Sequence, residues 1–165
     1  MKQDQKISRR TLIGGMAVTG AALSLGLRPG RADARFAVER TPAQWLQQLG
    51  RERYHILREA GTERPFSSPL NGEHRRGTFR CAGCNQALFS SATKFESHTG
   101  WPSFFKPLAG AVVTRPDHSV FMDRTEVLCS RCGGHLGHVF DDGPRPTGLR
   151  YCMNGLAMTF APATA

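Results

Sequence analysis

The sequence lacks an apolar run long enough to cross a lipid bilayer, for which about 20 residues are needed. Its most apolar stretch, 12–27, is interrupted by Gly14, Gly15, Gly20 and Gly26. No cysteine follows this stretch closely, which argues against a lipid-attached form. A retained membrane anchor is the alternative interpretation. The short length and the glycines favour a cleaved leader instead.

The first 34 residues are organised like an export signal. Basic residues, among them Arg9 and Arg10, precede the apolar stretch, and Ala32-Asp33-Ala34 places small residues where a signal peptidase cuts. The segment 8–13 is similar to the twin-arginine signal, which also places consecutive arginines before a modestly apolar run. We therefore predict that 1–34 is a cleaved export signal. The mature protein is then expected in the periplasm, without stable membrane association.

Acidic residues are few, 13 against 22 lysines and arginines, and the formal net charge is +9. The predicted leader carries six of the basic and two of the acidic residues, so 16 basic and 11 acidic residues, a charge of +5, belong to the rest. The basic balance is therefore weak support for a nucleic-acid partner, and none is expected.

One helix is predicted at the start of the mature chain. Thr41 can cap it, Pro42 suits its first position, and Gln44 can complete a capping box. Apolar residues recur at helical spacing from Trp45 onward, and Gly61 is a plausible end. The pattern predicts an amphipathic helix over roughly 42–60.

Beyond this helix, glycine and proline divide the chain into short runs, which is typical of an antiparallel β domain. No internal repeat or second domain boundary is visible, so residues 35–165 are expected to form one mainly β domain of compact antiparallel sheets. The runs predicted as strands are 77–80, 111–114, 119–123, 126–129, 138–140, 149–154 and 157–160.

Cysteine is scarce, with five in the chain. Four of them form two Cys-x-x-Cys pairs, Cys81 with Cys84 and Cys129 with Cys132. Two such turns can supply the four thiolates of one tetrahedral structural zinc. Gly83 and Gly133 occupy positions where such turns commonly need positive φ. Two disulfides or two redox-active pairs are the alternatives, since disulfides suit exported proteins. Twin-arginine export of a folded protein would permit zinc loading in the reducing cytoplasm.

The fifth cysteine, Cys152, lies outside both pairs. Side chains alternate along a strand, so Arg150 and Asn154 should share its face. A nearby cation favours the reactive thiolate. A lone cysteine is more often a buried small apolar residue, and that alternative stays open.

His135, His138 and Trp101 are further candidate site residues. The two histidines stand three apart in the sequence. Because four cysteines already fill the ligand positions of a zinc ion, the histidines are better interpreted as proton donors or acceptors. Trp101 lies between a glycine and a proline, where a rigid turn can make it the wall of an apolar pocket. Structural roles for the histidines and a core position for the tryptophan are the alternatives.

The order of these motifs resembles the B-type peptide methionine sulfoxide reductases over about 41–160. The motifs are the two Cys-x-x-Cys pairs, Lys94-Phe95-Glu96-Ser97, Gly100-Trp101-Pro102-Ser103-Phe104, His135-Leu136-Gly137-His138-Val139-Phe140 and Arg150-Tyr151-Cys152-Met153-Asn154. The segment Gly61-Thr62-Glu63-Arg64-Pro65-Phe66 also fits the family's entry segment. The resemblance implies an MSS4-like, zinc-ribbon-related fold and reduction of the R epimer of methionine S-oxide in proteins and peptides.

The resemblance also implies the role of each residue. Cys152 matches the family's nucleophile, and Trp101 matches the ring that packs on the substrate's methyl group. His138 and Asn154 match polar groups around the sulfoxide oxygen, with His135 and Arg150 nearby. The four paired cysteines match the zinc ligands of the members that bind metal: Cys81, Cys84, Cys129 and Cys132.

The expected reaction leaves Cys152 as a sulfenic acid, with His138 supplying a proton to the oxygen. Some relatives carry a resolving cysteine about where Ser97 and Thr99 stand here. With four cysteines on zinc, no cysteine remains to form an internal disulfide with Cys152. A thioredoxin-like protein or a small thiol is therefore expected to regenerate the enzyme.

Three other interpretations compete with this one. A zinc module that binds nucleic acid would leave Cys152, His138 and Trp101 without a role. A degenerate family member would bind oxidised methionine without reducing it, against which the presence of Cys152 argues. A thiol–disulfide exchange protein would use its Cys-x-x-Cys pairs as redox centres, and one zinc with four unreactive thiols would exclude it.

Overall fold

A computed structural model of the chain describes residues 36–119 and 123–164. The predicted export signal, 1–34, lies outside the described residues. The predicted strand 119–123 also falls largely outside them, at 120–122. In the described ranges, no helix is both long enough and apolar enough to span a membrane.

The predicted helix is present as α1, Pro42–Glu59. Thr41 and Gln44 form the reciprocal capping box that their sequence positions predict. Gly50, at φ 69° and ψ 170°, is not helical, so α1 consists of two helical segments joined by a kink. Ala60, rather than Gly61, adopts the left-handed conformation that ends α1.

The rest of the described chain is built from two antiparallel sheets, as expected for a mainly β domain. A three-stranded sheet has the order β2-β1-β9, and a six-stranded sheet has the order β3-β4-β8-β7-β6-β5. The strands are β1 Gly77–Cys81, β2 Ala87–Ser90, β3 Lys94–Phe95, β4 Ser103–Phe104, β5 Val112–Asp117, β6 Arg124–Cys129, β7 His135–Phe140, β8 Arg150–Met153 and β9 Met158–Pro162.

The sequence pattern missed three short strands, β2, β3 and β4. Two of them, β3 and β4, contain only two residues each, which is too short for alternation to be visible. Strand β4 forms because it pairs with the longer strand β8, where Ser103 lies opposite Cys152 and Phe104 lies opposite Tyr151, and β3 in turn pairs with β4.

A cluster of aromatic rings joins the two sheets. Phe89 of the smaller sheet stacks on Phe104 of the larger one at 4.4 Å between ring centroids, and Phe79 meets Phe104 edge-on at 4.8 Å. All three rings are fully buried. Phe104 neighbours Ser103, so this packing fixes β4 beside β8 and thereby holds the segment before β4 next to Cys152.

Trp45, Ile56 and Leu57 bury the apolar face of α1 within the same core. Leu57 approaches Gly134, and Trp45 approaches Gly83, so the helix packs beside both Cys-x-x-Cys turns. The packing of this helix therefore also supports the cysteine cluster.

Candidate active site and metal centre

Cys152 lies on a central strand of the larger sheet, opposite Ser103 on one side and His138 on the other. Directly opposed residues on antiparallel strands project to the same face of the sheet. Strand register therefore places the candidate nucleophile beside one of the two candidate imidazoles. The side chain of Cys152 is half-buried and makes no disulfide.

A cavity of about 160 Å³ opens beside Cys152. Trp101 and Phe140 contribute aromatic rings to its wall, and His138 contributes the imidazole. This volume suits a single side chain rather than a large cofactor. The residues lining the cavity are Thr62, Trp101, Arg124, Gly137, His138, Phe140, Cys152 and Asn154.

His138 is held by an ion-pair cluster that the sequence analysis did not predict. Its Nε2 lies 2.7 Å from Oδ2 of Asp117, and the same oxygen accepts a hydrogen bond from Arg124 at 2.8 Å. Burial lowers the pKa of His138, and the hydrogen bond to Asp117 opposes that shift. Hydrogen bonds from Ser119 and His138, with the charge of Arg124, hold the pKa of the Asp117 carboxyl well below its usual range.

Trp101 and Asn154 are fixed through one residue, Glu63. The indole Nε1 of Trp101 donates to the carbonyl oxygen of Glu63 at 3.2 Å, and the Glu63 backbone nitrogen donates to Oδ1 of Asn154 at 3.0 Å. The buried Glu63 carboxylate accepts hydrogen bonds from the backbone nitrogens of Gly155 and Leu156. This network fixes the distance between the aromatic wall and the strand that carries Cys152.

The side chain of Asn154 makes structural hydrogen bonds, in addition to the contact with the sulfoxide oxygen that was predicted for it. Its side-chain oxygen is engaged by Glu63, and its amide nitrogen donates to the carbonyl oxygen of Leu136 at 3.3 Å. Asn154 nevertheless lines the cavity beside Cys152. Its predicted contact with a sulfoxide oxygen stays a prediction.

His135 and Arg150 lie behind the cavity and do not line it. The imidazole of His135 is buried, bonds Glu126 through Nδ1 at 2.6 Å, and meets the His138 ring edge-on at 5.4 Å. Arg150 forms a bidentate ion pair with Asp142, in which Nε and Nη2 donate to Oδ1 and Oδ2 at 2.8 and 2.7 Å. This ion pair, followed by the nearby charge of Cys152, raises the pKa of Arg150, so its cation is permanent near the thiol.

Several residues of the site had no role predicted from the sequence: Arg124, Asp117, Thr62, Glu63 and Phe140. Arg124 and Asp117 are directly opposed at the far ends of β6 and β5, where no motif marks them. Thr62 and Glu63 belong to a segment, 61–66, that is part of the family resemblance. The resemblance of that segment to the family pointed to Thr62 and Glu63, but it implied no role for either residue.

The four paired cysteines converge on one point, as predicted. Their sulfur atoms all lie within 4.8 Å of one another, and none is in a disulfide. Sγ of Cys81 lies 3.7 Å from that of Cys132, and Sγ of Cys84 lies 3.5 Å from that of Cys129. A tetrahedron with Zn–S bonds of about 2.3 Å has sulfur–sulfur edges of about 3.8 Å, so the cluster fits zinc.

The two cysteine turns share one backbone geometry. In each, the residue after the second cysteine has positive φ, Gly133 at 67° and Asn85 at 60°. Its nitrogen donates to the first cysteine's carbonyl oxygen, at 2.9 and 2.8 Å. The expectation of positive φ is therefore confirmed for Gly133 and wrong for Gly83. Asparagine tolerates the left-handed region and fills the equivalent position in the first turn.

The pKa shifts of the four cysteines also favour a cation at the cluster. Hydrogen bonds with the neighbouring cysteines and burial together raise the pKa of Cys81, while hydrogen bonds lower the pKa of Cys129 to about 2. Four adjacent thiols therefore cannot all ionise unless a positive charge stabilises them. A bound cation such as Zn²⁺ would supply that charge, and with all four positions taken by sulfur its role would be structural.

The fold and site together define a class: a mainly β protein with a four-cysteine cluster that could hold a metal ion and a separate cysteine in an aromatic-walled cavity, the arrangement of a thiol-dependent oxidoreductase. Residues 49–162 match the family model described as the SelR domain.

Relatives from both bacteria and archaea agree with this match, and each is named peptide methionine sulfoxide reductase MsrB. The chain is 55% identical to the protein of Agrobacterium fabrum over 126 residues, which are 76% of this chain and 93% of the relative. It is 54% identical to that of Methanosarcina barkeri (77% and 90% covered) and 56% identical to that of Thiobacillus denitrificans (74% and 94% covered). The chain belongs to the MsrB family, which is defined by the SelR domain.

Proposed function

We propose that this protein reduces methionine (R)-S-oxide residues in proteins and peptides to methionine, with Cys152 as the nucleophile. The observation that carries the proposal is the position of Cys152 in a small cavity walled by Trp101 and Phe140, with His138 on the same sheet face. Membership of the MsrB family supports the same activity, that of an oxidoreductase acting on a sulfur group.

The thiolate of Cys152 attacks the sulfoxide sulfur, and the oxygen passes to the cysteine. One thiol and one sulfoxide become one sulfenic acid and one thioether, so the cysteine sulfur is oxidised by two electrons while the methionine sulfur is reduced. The aromatic rings of Trp101 and Phe140 offer an apolar surface to the methyl group of the substrate.

His138 is the residue placed to supply the proton that the oxygen needs as its charge rises. Because Nε2 is bonded to Asp117, Nδ1 is the nitrogen left for the substrate; it makes no hydrogen bond within the described part of the chain. The carboxylate of Asp117 supports the imidazolium form and orients the ring. His138 is therefore the proton donor, and Asp117 positions it.

Regeneration of Cys152 needs an external reductant. The four other cysteines of the chain lie together in the zinc-type cluster, and none is within bonding distance of Cys152. A thioredoxin-like protein or a small thiol attacks the sulfenic acid and releases water. A second thiol then displaces the mixed disulfide and restores the Cys152 thiol.

Zn²⁺ held by Cys81, Cys84, Cys129 and Cys132 is proposed as a structural cofactor, one per chain. The cluster ties β1 to the end of β6, two strands that belong to different sheets. A metal there would cross-link the two sheets and take no part in the reaction, because its four positions would be filled by sulfur and none would be open to substrate.

Export through the twin-arginine route is proposed for 1–34 from the consecutive Arg9 and Arg10 before an apolar run. The oxidised proteins of the periplasm would then be the substrates. Replacing both arginines with lysine keeps the charge and removes the arginine pair. Cell fractionation should then find the wild-type chain in the periplasm and the double variant retained inside; equal distribution of the two would contradict the route.

The decisive test is reduction of separated R and S epimers of a methionine sulfoxide peptide, with dithiothreitol as reductant. We expect turnover of the R epimer alone, and none by Cys152→Ser with the same zinc content. Both epimers left oxidised by the wild-type protein would overturn the function, whereas turnover by Cys152→Ser would overturn the assignment of the nucleophile.

A further inference from the structure

Three hydroxyl groups connect the candidate nucleophile to the backbone of the Trp101 turn. Oγ1 of Thr99 lies 3.7 Å from Sγ of Cys152, Oγ of Ser97 lies 2.8 Å from Thr99, and Oγ of Ser103 lies 2.7 Å from Ser97. Ser103 in turn donates to the carbonyl oxygen of Trp101 at 3.1 Å. These contacts form one continuous chain of hydrogen bonds ending on the sulfur.

Local backbone geometry builds this chain. His98 adopts φ 58° and Gly100 adopts φ 95°, so the segment turns sharply on each side of Thr99 and brings the hydroxyls of Ser97 and Thr99 together. Ser103 is 1% exposed and lies directly opposite Cys152 in the strand register. Its hydroxyl is therefore held in place by the sheet.

Counting protons fixes the direction of every bond when Cys152 is a neutral thiol. A hydroxyl has one hydrogen to donate, and a carbonyl oxygen only accepts. Since Ser103 donates to the carbonyl oxygen of Trp101, Ser97 must donate to Ser103, and Thr99 must donate to Ser97. The S–H of Cys152 then donates to Thr99, and every hydrogen in the chain has an acceptor.

Ionisation of the sulfur reverses this order. A thiolate only accepts, so Thr99 turns its hydrogen toward Sγ, Ser97 donates to Thr99, and Ser103 donates to Ser97. The carbonyl oxygen of Trp101 loses one neutral hydrogen bond while the thiolate gains a charge-assisted one, which is roughly twice as strong. The change needs rotation of hydroxyl hydrogens only, with no movement of heavier atoms.

We propose that Thr99, supported by Ser97 and Ser103, is a further catalytic residue that stabilises the ionised sulfur of Cys152 through this reversible hydroxyl chain. The proposal deepens the proposed function, on which it rests for the identity of the nucleophile. The chain of hydroxyl groups contacts Sγ of Cys152 from the β4 side of the strand and supplies polar groups there. The charged groups near Cys152 are Arg150 of β8, which pairs with Asp142, and His138 of β7, which pairs with Asp117 beside Arg124.

The test compares Thr99→Val, which removes the hydroxyl at nearly constant volume, with Thr99→Ser, which keeps it. The probe is alkylation of the full zinc-containing protein by iodoacetamide, followed by mass spectrometry of the Cys152 peptide, so that the other cysteines do not interfere. We expect alkylation of Thr99→Val at neutral pH to be about tenfold slower than wild type. Thr99→Ser should stay within about twofold of wild type, and all three rates should converge in strong alkali.

Two results would overturn the proposal: Thr99→Val alkylated at the wild-type rate, or Thr99→Ser slowed as much as Thr99→Val, which would assign the effect to packing. Circular dichroism and zinc content establish that each variant is folded. Because alkylation does not involve sulfoxide, a protein that failed the epimer assay would still report on the hydroxyl chain. Failure of the proposed function is thus distinguishable from failure of this inference.

Discussion

Replacing Asp117 with asparagine should slow the chemical step, because it removes the charge that supports protonated His138. The carboxylate accepts hydrogen bonds from His138 Nε2 at 2.7 Å and from Arg124 at 2.8 Å, and the side chains of Asp117 and His138 are 17% and 12% exposed. An amide of the same shape retains the packing but loses the negative charge. The cation of Arg124 and the burial of the ring then act together to lower the pKa of His138 further.

The size of the effect follows from the hydrogen bond that is lost. A hydrogen bond to a charged group contributes roughly 1.5–3 kcal/mol. That energy corresponds to about a ten- to hundredfold smaller imidazolium population at neutral pH. If this imidazolium supplies the proton, the single-turnover rate should fall by the same factor, about ten- to a hundredfold. The loss should shrink as the pH falls, because acid restores the protonated ring.

The assay is methionine release in a single turnover between about pH 5 and pH 8. Asp123→Asn is the matched control, since Asp123 is 92% exposed and pairs with the exposed His118. Such surface pairs contribute little, so this variant should match wild type. Identical rates and pH profiles for Asp117→Asn and Asp123→Asn would refute the role given to Asp117.

Three further predictions concern the metal and the cavity wall. Removing zinc with a chelator should lower the free energy of unfolding by several kcal/mol, measured by calorimetry, because metal binding contributes to folding; equal melting temperatures with and without metal would contradict a structural zinc. Glu63→Ala leaves one buried and one partly buried backbone nitrogen unpaired and should destabilise the protein by about 2–4 kcal/mol in urea unfolding. Exposed Glu52→Ala is the control, and no difference between the two variants would be inconsistent with the Glu63 network. Trp101→Ala should raise KM for a sulfoxide peptide about tenfold or more through lost apolar contact, and an unchanged KM would remove Trp101 from the substrate wall.

The family and the principal chemical groups of this protein were predictable from the sequence. The capping box of Thr41 and Gln44 depends on residues three apart, so its geometry follows from local backbone conformation. The paired spacing of the cysteines predicts a tetrahedral sulfur cluster for the same reason, and that cluster is present. The separation of Cys152 from both pairs marked it as a free thiol.

Strand register decided the rest of the candidate site. Asp117 meets His138 across 21 residues of sequence, and Glu63 meets Gly155 across 92. Neither contact has a local signal: the first depends on how β5, β6 and β7 align, and the second on how the segment after α1 packs against the turn that follows β8. The two-residue strand β4 illustrates the same point, since it is ordered by its pairing with β3 and β8 and by the packing of Phe104 against Phe79 and Phe89.

Local chemistry thus determined which groups this protein carries: four metal-type thiols, one free thiol, two imidazoles and an aromatic turn. The tertiary structure decided how they are employed. It pairs His138 with Asp117 through a hydrogen bond and places His135 and Arg150 behind the cavity. It also brings the hydroxyl of Thr99 next to the sulfur of Cys152. The physical reason is range: spacing within a turn fixes short-range geometry, whereas contacts between strands exist only once the sheets have packed.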